Sequence, residues 1–366
     1  MRRPRLPKDV QELVHWYERY VSPLSLVAGF VADNLYLLRR VDLWRSNVLL
    51  FSYLAIAAAG ILFINMVEAG RFKHPWVLKV APITPVIVQF AFGGLFSGYL
   101  SLYSRSAGVF SSWVFVVIVA ALLIGNERFI RLYIRFRFQI GLYFTVLFSF
   151  LIFFLPVVTR SISQGIFLLS GLVALLVIAA FLYLMHLAVP ELERANRTKV
   201  ARTIAIIYIV FNILYFSNAI PPLPLALKDA GVYHSVTRID DTYTLLAEPA
   251  PWYRTILPYN TTIHLTEGAS AYVYTAIFAP TGLKTTILHV WQRYDDSVKS
   301  WQTMSTVSFP VLGGRDGGYR GYSLKSSLTP GRWRVNVLTL YGQTVGRVTF
   351  TVMSATSSPV LTEVVK

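Results

Sequence analysis

Between residues 24 and 219 apolar residues run in blocks of helical-span length. After Pro221-Pro222-Leu223-Pro224 they alternate with polar ones instead. Blocks of roughly 20 apolar residues cross the hydrocarbon core of a bilayer as helices. Period-two alternation belongs to strands with one covered face. Strong spans are predicted at Asn47–Met66, Val80–Tyr103, Val109–Gly125, Ile140–Val158, Gln164–Leu187 and Thr203–Ala219. A weaker segment, Pro23–Leu38, contains Asp33 and Asn34. A carboxylate at mid-span costs roughly 2.5–3.5 kcal/mol on insertion scales, so this segment is either a poor span held by its neighbours or an interfacial one. Before it, Val10, Leu13, Val14, Tyr17 and Val21 recur at helical spacing with Trp16 and Tyr20 beside them. They predict a basic amphipathic helix over Lys8–Tyr20 on the cytoplasmic face, or one that binds a partner.

In the second half, strands are predicted at Val232–Ile239, Tyr243–Glu248, Thr262–Thr266, Ser270–Ala279, Thr285–Arg293, Gln302–Pro310, Tyr319–Leu324, Arg332–Leu338 and Val345–Val352. Turn signals such as Asp240-Asp241, Glu267-Gly268, Pro280-Thr281-Gly282 and Pro330-Gly331 separate them. The expected fold is a membrane α-helical bundle of about seven transmembrane helices, followed by an all-β immunoglobulin-like sandwich. The domains are a cytoplasmic segment over residues 1–22, a multispanning domain over 23–220 and a proline-rich hinge over 221–227. A β-sandwich over 228–355 and a disordered tail over 356–366 follow. Trp333, Val335 and Val337 share one face and Val348, Phe350 and Val352 another. These are the expected core faces, with Arg332, Arg334 and Asn336 pointing to water.

Composition agrees with a membrane class. The chain is 55% hydrophobic and only 14% charged, against about 25% charged for soluble domains. The net charge of +16 is uneven: residues 1–227 hold 21 Lys/Arg and 9 Asp/Glu, residues 228–366 hold 13 and 9. If Pro23–Leu38 spans and the N-terminus is inside, 16 cations lie in cytoplasmic pieces. Arg128–Arg137 and Arg194–Arg202 are among them, and 5 cations lie in outer loops. That is the distribution the positive-inside rule requires, and it exports the C-terminal domain. Six spans with an external N-terminus would export it too, but would also export five more cations. An inverted arrangement would place the two arginine clusters outside. No cleavable signal peptide is visible, so the first spans are expected to act as uncleaved insertion signals. The chain has no cysteine, which excludes disulfides, thiolate catalysis and Cys-ligated metals.

Candidate chemistry is sparse. Asp33 is the one carboxylate inside a candidate span and is the transport candidate. Gly94 and Gly98, with Gly93 adjacent, have the small-residue spacing that permits close helix packing. No H-E-x-x-H, G-x-S-x-G or P-loop occurs. In Thr285–Arg293, alternation puts His289 and Trp291 on one side and Leu288, Val290 and Gln292 on the other. The His289 side is either covered by a loop or displayed. The glycine-rich run Gly313–Ser323 either approaches an anion or makes tight turns. His289, Trp291, Arg320, Tyr322 and Arg334 form the candidate ligand-binding set, for a sugar, an anionic polymer or a protein. The alternative is that the aromatic members are core. Asp295, Asp296 and Asp316 are the only candidates for a polymer-modifying enzyme. No catalytic residue, metal or cofactor is expected. The expected partners are the lipid bilayer and an envelope protein or glycan, with no nucleic acid.

His289-Val290-Trp291, Tyr319-Arg320-Gly321-Tyr322-Ser323 with Lys325-Ser326, and Pro330-Gly331-Arg332-Trp333-Arg334-Val335 together resemble the bacterial envelope domain known as domain of unknown function 2914. The resemblance is close over residues 285–353 and looser over 221–279. Gly29-Phe30, Asp33 and Arg39-Arg40-Val41-Asp42 resemble the multispanning region that accompanies this domain in some bacterial inner-membrane proteins. The resemblance implies a β-sandwich facing the periplasm and no assigned activity. The expected function is therefore an inner-membrane protein presenting a periplasmic binding module. The alternative is a transporter or channel accessory whose β domain caps a helical pathway.

Overall fold

The computed structural model describes residues 44–106, 113–126, 132, 135–222, 224–249 and 261–366. Lys8–Tyr20 and Pro23–Leu38, with Asp33, lie outside the described residues. The chain divides into a helical unit and a β-rich unit whose main stretch is Pro221–Lys366.

In the helical unit, α1 spans Trp44–Glu68, α2 Pro75–Val80, α3 Thr84–Ser106, α4 Trp113–Asn126, α5 Phe136–Thr159, α6 Gln164–Ala188 and α7 Pro190–Phe216. A 3₁₀ turn at Ala81–Ile83 joins α2 to α3, where Pro82 and Pro85 supply no N–H for a regular helix. Five of these helical stretches are long and apolar enough to cross a membrane: Trp44–Glu68, Pro75–Tyr103, Phe136–Thr159, Gln164–Ala188 and Pro190–Phe216. The expected span at Val109–Gly125 corresponds to α4, whose described apolar stretch, Phe115–Asn126, is too short for that group. Phe51, Phe90, Leu176, Leu187 and Ile213 are each more than half exposed on these helices. Apolar surface of that extent is costly in water and is what a lipid-facing helix presents.

The expected span Thr203–Ala219 begins instead at Pro190, so the charged stretch before it is helical. Pro190 sits in the first turn with Glu191 and Glu193, where a fixed φ and negative charge both favour a helix start. The residues that follow are largely Glu, Arg, Ala and Lys, all good helix formers. Glu193 is buried, 3.0 Å from His186 Nδ1.

The most enclosed helix is α5, which packs against α1, α6 and α7. The Phe148 ring stacks on Phe167, Tyr208 and Phe211, with centroids 5.8, 5.7 and 4.7 Å away. Gly171 of α6 permits this, because a Cβ there would meet the Tyr208 ring at 2.8 Å and Phe148 at 3.2 Å. Several buried polar groups are paired between helices. Asn65 Nδ2 donates to Gln139 Oε1 at 2.7 Å. Tyr99 donates to the Val146 carbonyl at 2.8 Å. Gln89 and Asn126 each donate to the other's backbone carbonyl. Gly94 receives the Tyr53 ring and Gly93 the Asn126 amide, so at both positions the absent Cβ makes room for a side chain.

The β-rich unit contains β1 (Ala226–Tyr233), β2 (Ser235–Ile239), β3 (Thr242–Ala247), β4 (Thr261–Leu265), β5 (Ser270–Phe278), β6 (Lys284–Asp295), β7 (Ser300–Leu312), β8 (Tyr319–Ser326), β9 (Gly331–Thr339), β10 (Thr344–Ser354) and β11 (Thr362–Val365). They form a five-stranded sheet in the order β4-β10-β9-β6-β7, a three-stranded sheet β1-β5-β8 and a second three-stranded sheet β11-β3-β2. All pairings are antiparallel except β4 with β10.

The inner face of the five-stranded sheet carries Ile263, Leu265, Trp291, Trp333, Val335, Val348, Phe350 and Val352, which close on Val232, Ala271 and Val273 of β1 and β5. The three largest, Trp291, Trp333 and Phe350, are fully covered, and each such side chain contributes roughly 1.5–3 kcal/mol. The expected core faces of β9 and β10 are therefore in place. The opposite face of β5, through Tyr274 and Ala276, packs on Val236, Tyr243 and Leu245 of the third sheet. Hence β5 is covered on both faces and the unit is layered in three.

Two expectations change here. The single strand at Val232–Ile239 is divided at His234 into β1 and β2, which belong to different sheets. The tail over 356–366, expected to be disordered, returns as β11 and pairs with β3. Its anchors are backbone bonds between Lys366 and Tyr243 in both directions and a 2.6 Å ion pair from Lys366 to Asp229.

Candidate functional site

The five sequence candidates in the β unit fall in three places. His289 and Trp291 point inward from β6 and are wholly buried. Trp291 Nε1 can only donate, and the Ser323 hydroxyl of β8 accepts it at 3.0 Å. The Ser323 proton then faces His289 Nδ1 at 2.8 Å. This leaves the histidine N–H on Nε2, 3.1 Å from Thr275 Oγ1 of β5, and Thr275 faces the Gly321 carbonyl at 3.5 Å. The tautomer follows from the direction of the chain of donors. Every polar atom in this chain is satisfied when His289 is neutral. Protonated, Nδ1 could only donate, and the Ser323 O–H would lose its acceptor. Burial pushes the imidazole from about 6.5 down to about 4. The His289 side of β6 is therefore covered, by the sheet β1-β5-β8, and the displayed-surface expectation for His289 and Trp291 is corrected. The alternation of β6 marked the side, but the sequence does not say which sheet lies over it.

Arg320 and Tyr322 lie on the opposite face of β8. Arg320 Nη1 donates to the Asp241 carbonyl at 2.8 Å and to that of Lys366 at 3.3 Å, so it holds the returning C-terminal strand. Tyr322 is partly exposed, with its ring 6.5 Å from Tyr243 and 6.2 Å from Tyr272.

Arg334 belongs to the outer face of the five-stranded sheet. Its Nε donates to Gln292 Oε1 at 2.7 Å, and its guanidinium lies 4.2 Å from the Trp301 ring centroid. Asn336 Nδ2 donates to the same Gln292 oxygen at 3.0 Å, and Arg347 Nε donates to Asn336 Oδ1 at 2.6 Å. Asn336, expected in water, is mostly covered beneath these contacts. Next along the face, Arg332 lies 3.8 Å over the Tyr294 ring and 2.7 Å from Asp296. Tyr294 and Trp301 meet edge to face at 5.2 Å. Burial, then the charge of Arg347, brings Arg334 down to about 10. Arg347 and Gln292 were not among the sequence candidates. Arg347 faces outward between inward Gly346 and Val348, a signal that period two carries.

A second cluster was missed. Glu248 Oε1 lies 2.9 Å from His234 Nε2 and accepts the His264 backbone N–H at 2.6 Å, while Oε2 lies 2.8 Å from His264 Nδ1. Burial raises this carboxyl, but the His264 and His234 bonds outweigh it, and the net shift is downward. The three residues come from three segments, and no local spacing relates them. Among the described residues, no group of three or more His, Cys, Asp or Glu could hold a metal ion. Asp295 caps its own turn through Ser297 and Asp296 is held by Arg332. The glycine run makes close backbone approaches: a Cβ at Gly318, whose φ is +87°, would meet the Ile277 backbone at 2.9 Å, and one at Gly321 the Phe309 ring at 2.5 Å.

Residues 284–352 match the family model described as protein of unknown function (DUF2914). This stretch spans β6 to β10 and contains both the His289–Trp291–Ser323 chain and the outer arginine face. No curated protein matches the chain. Among solved structures, the Pseudomonas fluorescens alkylpurine DNA glycosylase AlkC, bound to DNA containing an abasic site analog, aligns over 84% of this chain and 98% of its own. The identity is 12% and the TM-score 0.22, too low to bear on fold or activity.

Proposed function

We propose that this is a multi-pass bacterial inner-membrane protein whose β unit works in the periplasm as a non-enzymatic binding module. In this reading, about seven helices form the anchor. The two sheets closed over Trp291 and Trp333 make an immunoglobulin-like sandwich, extended by the third sheet. The exposed apolar helix surface and the concentration of cations in alternate connecting segments support the orientation.

The observation that carries the binding role is the outer face of the five-stranded sheet. Arg332, Arg334 and Arg347 stand there with Tyr294 and Trp301, fixed by strand register, by neutral amide contacts to Arg334 and Arg347 and by the Asp296 ion pair to Arg332. Arginine and aromatic side chains held rigid on a sheet are the residue types that dominate recognition energy. His289, by contrast, is sealed and neutral, and its role is structural.

The test uses the full chain in detergent, immobilised and challenged with separated protein, lipid and glycan fractions of the envelope. One fraction should be retained by the wild type and lost on combined Arg332→Gln, Arg334→Gln and Arg347→Gln replacement. Retention that ignores all three replacements contradicts the reading.

A further inference from the structure

We propose that Arg334 and Arg347 form the binding site for an oxyanion, carboxylate or phosphate, carried on an acidic saccharide. This rests on the binding-module reading and assigns it a ligand class.

The two side chains differ from the ion-paired arginines of the chain. Arg332 has Asp296 at 2.7 Å, Arg315 has Asp241 at 3.4 Å and Arg71 has Glu191 at 3.3 Å. Among the described residues, neither Arg334 nor Arg347 has a carboxylate partner. Each instead gives its Nε to a neutral amide oxygen, Gln292 Oε1 for Arg334 and Asn336 Oδ1 for Arg347. The Asn336 amide links the two acceptors through its 3.0 Å bond to Gln292. Register fixes this relay, because Gln292 pairs with Arg334 across β6 and β9, and Asn336 pairs with Arg347 across β9 and β10. Two cations are thus held close together by groups that orient them without neutralising them. Their terminal N–H donors are left for a ligand, and a forked guanidinium edge matches a carboxylate or phosphate. Repulsion between the two, which adds to burial in lowering Arg334, would be relieved by a bound anion.

The surroundings identify the carrier. Thr303, Thr306 and Ser308 of β7 face outward opposite Gln292, Val290 and Leu288, and all three are exposed. Gln292 Nε2 donates to the Thr303 hydroxyl at 3.0 Å. Trp301 backs Arg334 and is itself braced by Tyr294. A flat strip of hydroxyls ending in an aromatic pair suits a hydrated, hydroxyl-rich chain with a flat ring. It lacks the buried apolar anchor of a protein hot spot.

The experiment is equilibrium binding by the full chain in detergent. The probes are an oligogalacturonate, a phosphorylated oligosaccharide, a neutral malto-oligosaccharide of matching length, free inorganic phosphate and phosphatidylglycerol vesicles. Binding of at least one acidic saccharide is expected, well above the neutral one and free phosphate. Arg334→Gln and Arg347→Gln should each weaken it by about tenfold or more. Arg320→Gln, on another face, should leave it unchanged. Arg347→Gln sits at an exposed position, so its loss of binding should come without loss of folding, and Arg334→Lys should behave like Arg334→Gln because the fork is gone. Equal binding of neutral and acidic saccharides, full affinity in the double variant, or binding confined to the vesicles would each overturn the proposal. If neither acidic saccharide binds while another envelope fraction still depends on these arginines, the saccharide assignment falls and the binding module stands. If no fraction depends on them, both fall.

Discussion

His289 should make the β unit acid-labile well above the range where carboxylates titrate. The folded chain holds this imidazole at about 4, whereas an unfolded histidine lies near ~6.5. Between those values the unfolded chain binds a proton that the folded chain refuses, so stability falls as pH falls. The contribution is complete above about pH 6.5 and is drained by about pH 4. At pH ~4.5 the loss comes to about 2.5 kcal/mol. With a urea dependence of roughly 2 kcal/mol per molar, the unfolding midpoint should drop by about 1 M. The cause is burial of the charged ring, and a protonated Nδ1 would also take away the acceptor of the Ser323 O–H. The measurement is pulse proteolysis in urea on the full chain in constant detergent, at pH 7 and 4.5, scoring cuts within residues 261–366. His289→Gln can keep both contacts without taking a proton and should lose most of the pH difference. A wild-type midpoint that does not move, or a variant that moves as much as wild type, would refute the reasoning.

Three further outcomes follow from particular contacts. Ser323→Ala leaves the Trp291 N–H and His289 Nδ1 unpaired in a dry interior and should cost about 2–4 kcal/mol by the same proteolysis assay at pH 7; a change below about 0.5 kcal/mol would mean the chain of bonds is not formed. Glu248→Gln should flatten the stability loss below about pH 4.3, since a carboxyl held below its unfolded value contributes above that value and is lost as pH falls through the folded one. An unchanged acid limb would show the His234–Glu248–His264 bonds to be absent in solution. Gly171→Leu should drive a side chain into Tyr208 and Phe148 and lower the thermal stability of the detergent-solubilised protein by about 1–3 kcal/mol. Leu172→Ala, at a position more than half exposed, should not.

The period of the apolar pattern carried most of the architecture. Long runs placed α1, α5 and α6 within a few residues of their ends, and alternation placed the inward faces of β9 and β10. What the pattern could not carry was pairing between distant segments. Nothing local to Thr362–Val365 says that β3 has an open edge to receive it, and so a strand was read as a tail. Large residues on both sides of β6 left open whether His289 and Trp291 are covered or displayed. Only the placement of Ser323 and Thr275 above them, 34 and 14 residues away, makes that side interior. Arg334 was found from its place on an outward face. Its partner Arg347 comes from the neighbouring strand and needed the register to be known. The helical start at Pro190 was hidden by charge, which marks water but does not distinguish loop from helix.

The account depends on a β unit delivered across the bilayer, away from the arginine-rich end of α7. The chain has no cysteine, so single reporters can be placed without background. Val298, exposed at the β6–β7 turn, and Arg197, exposed on α7, suit the purpose. A membrane-impermeant maleimide applied to intact spheroplasts should label Val298→Cys at once and Arg197→Cys only after lysis. The opposite order would contradict the account.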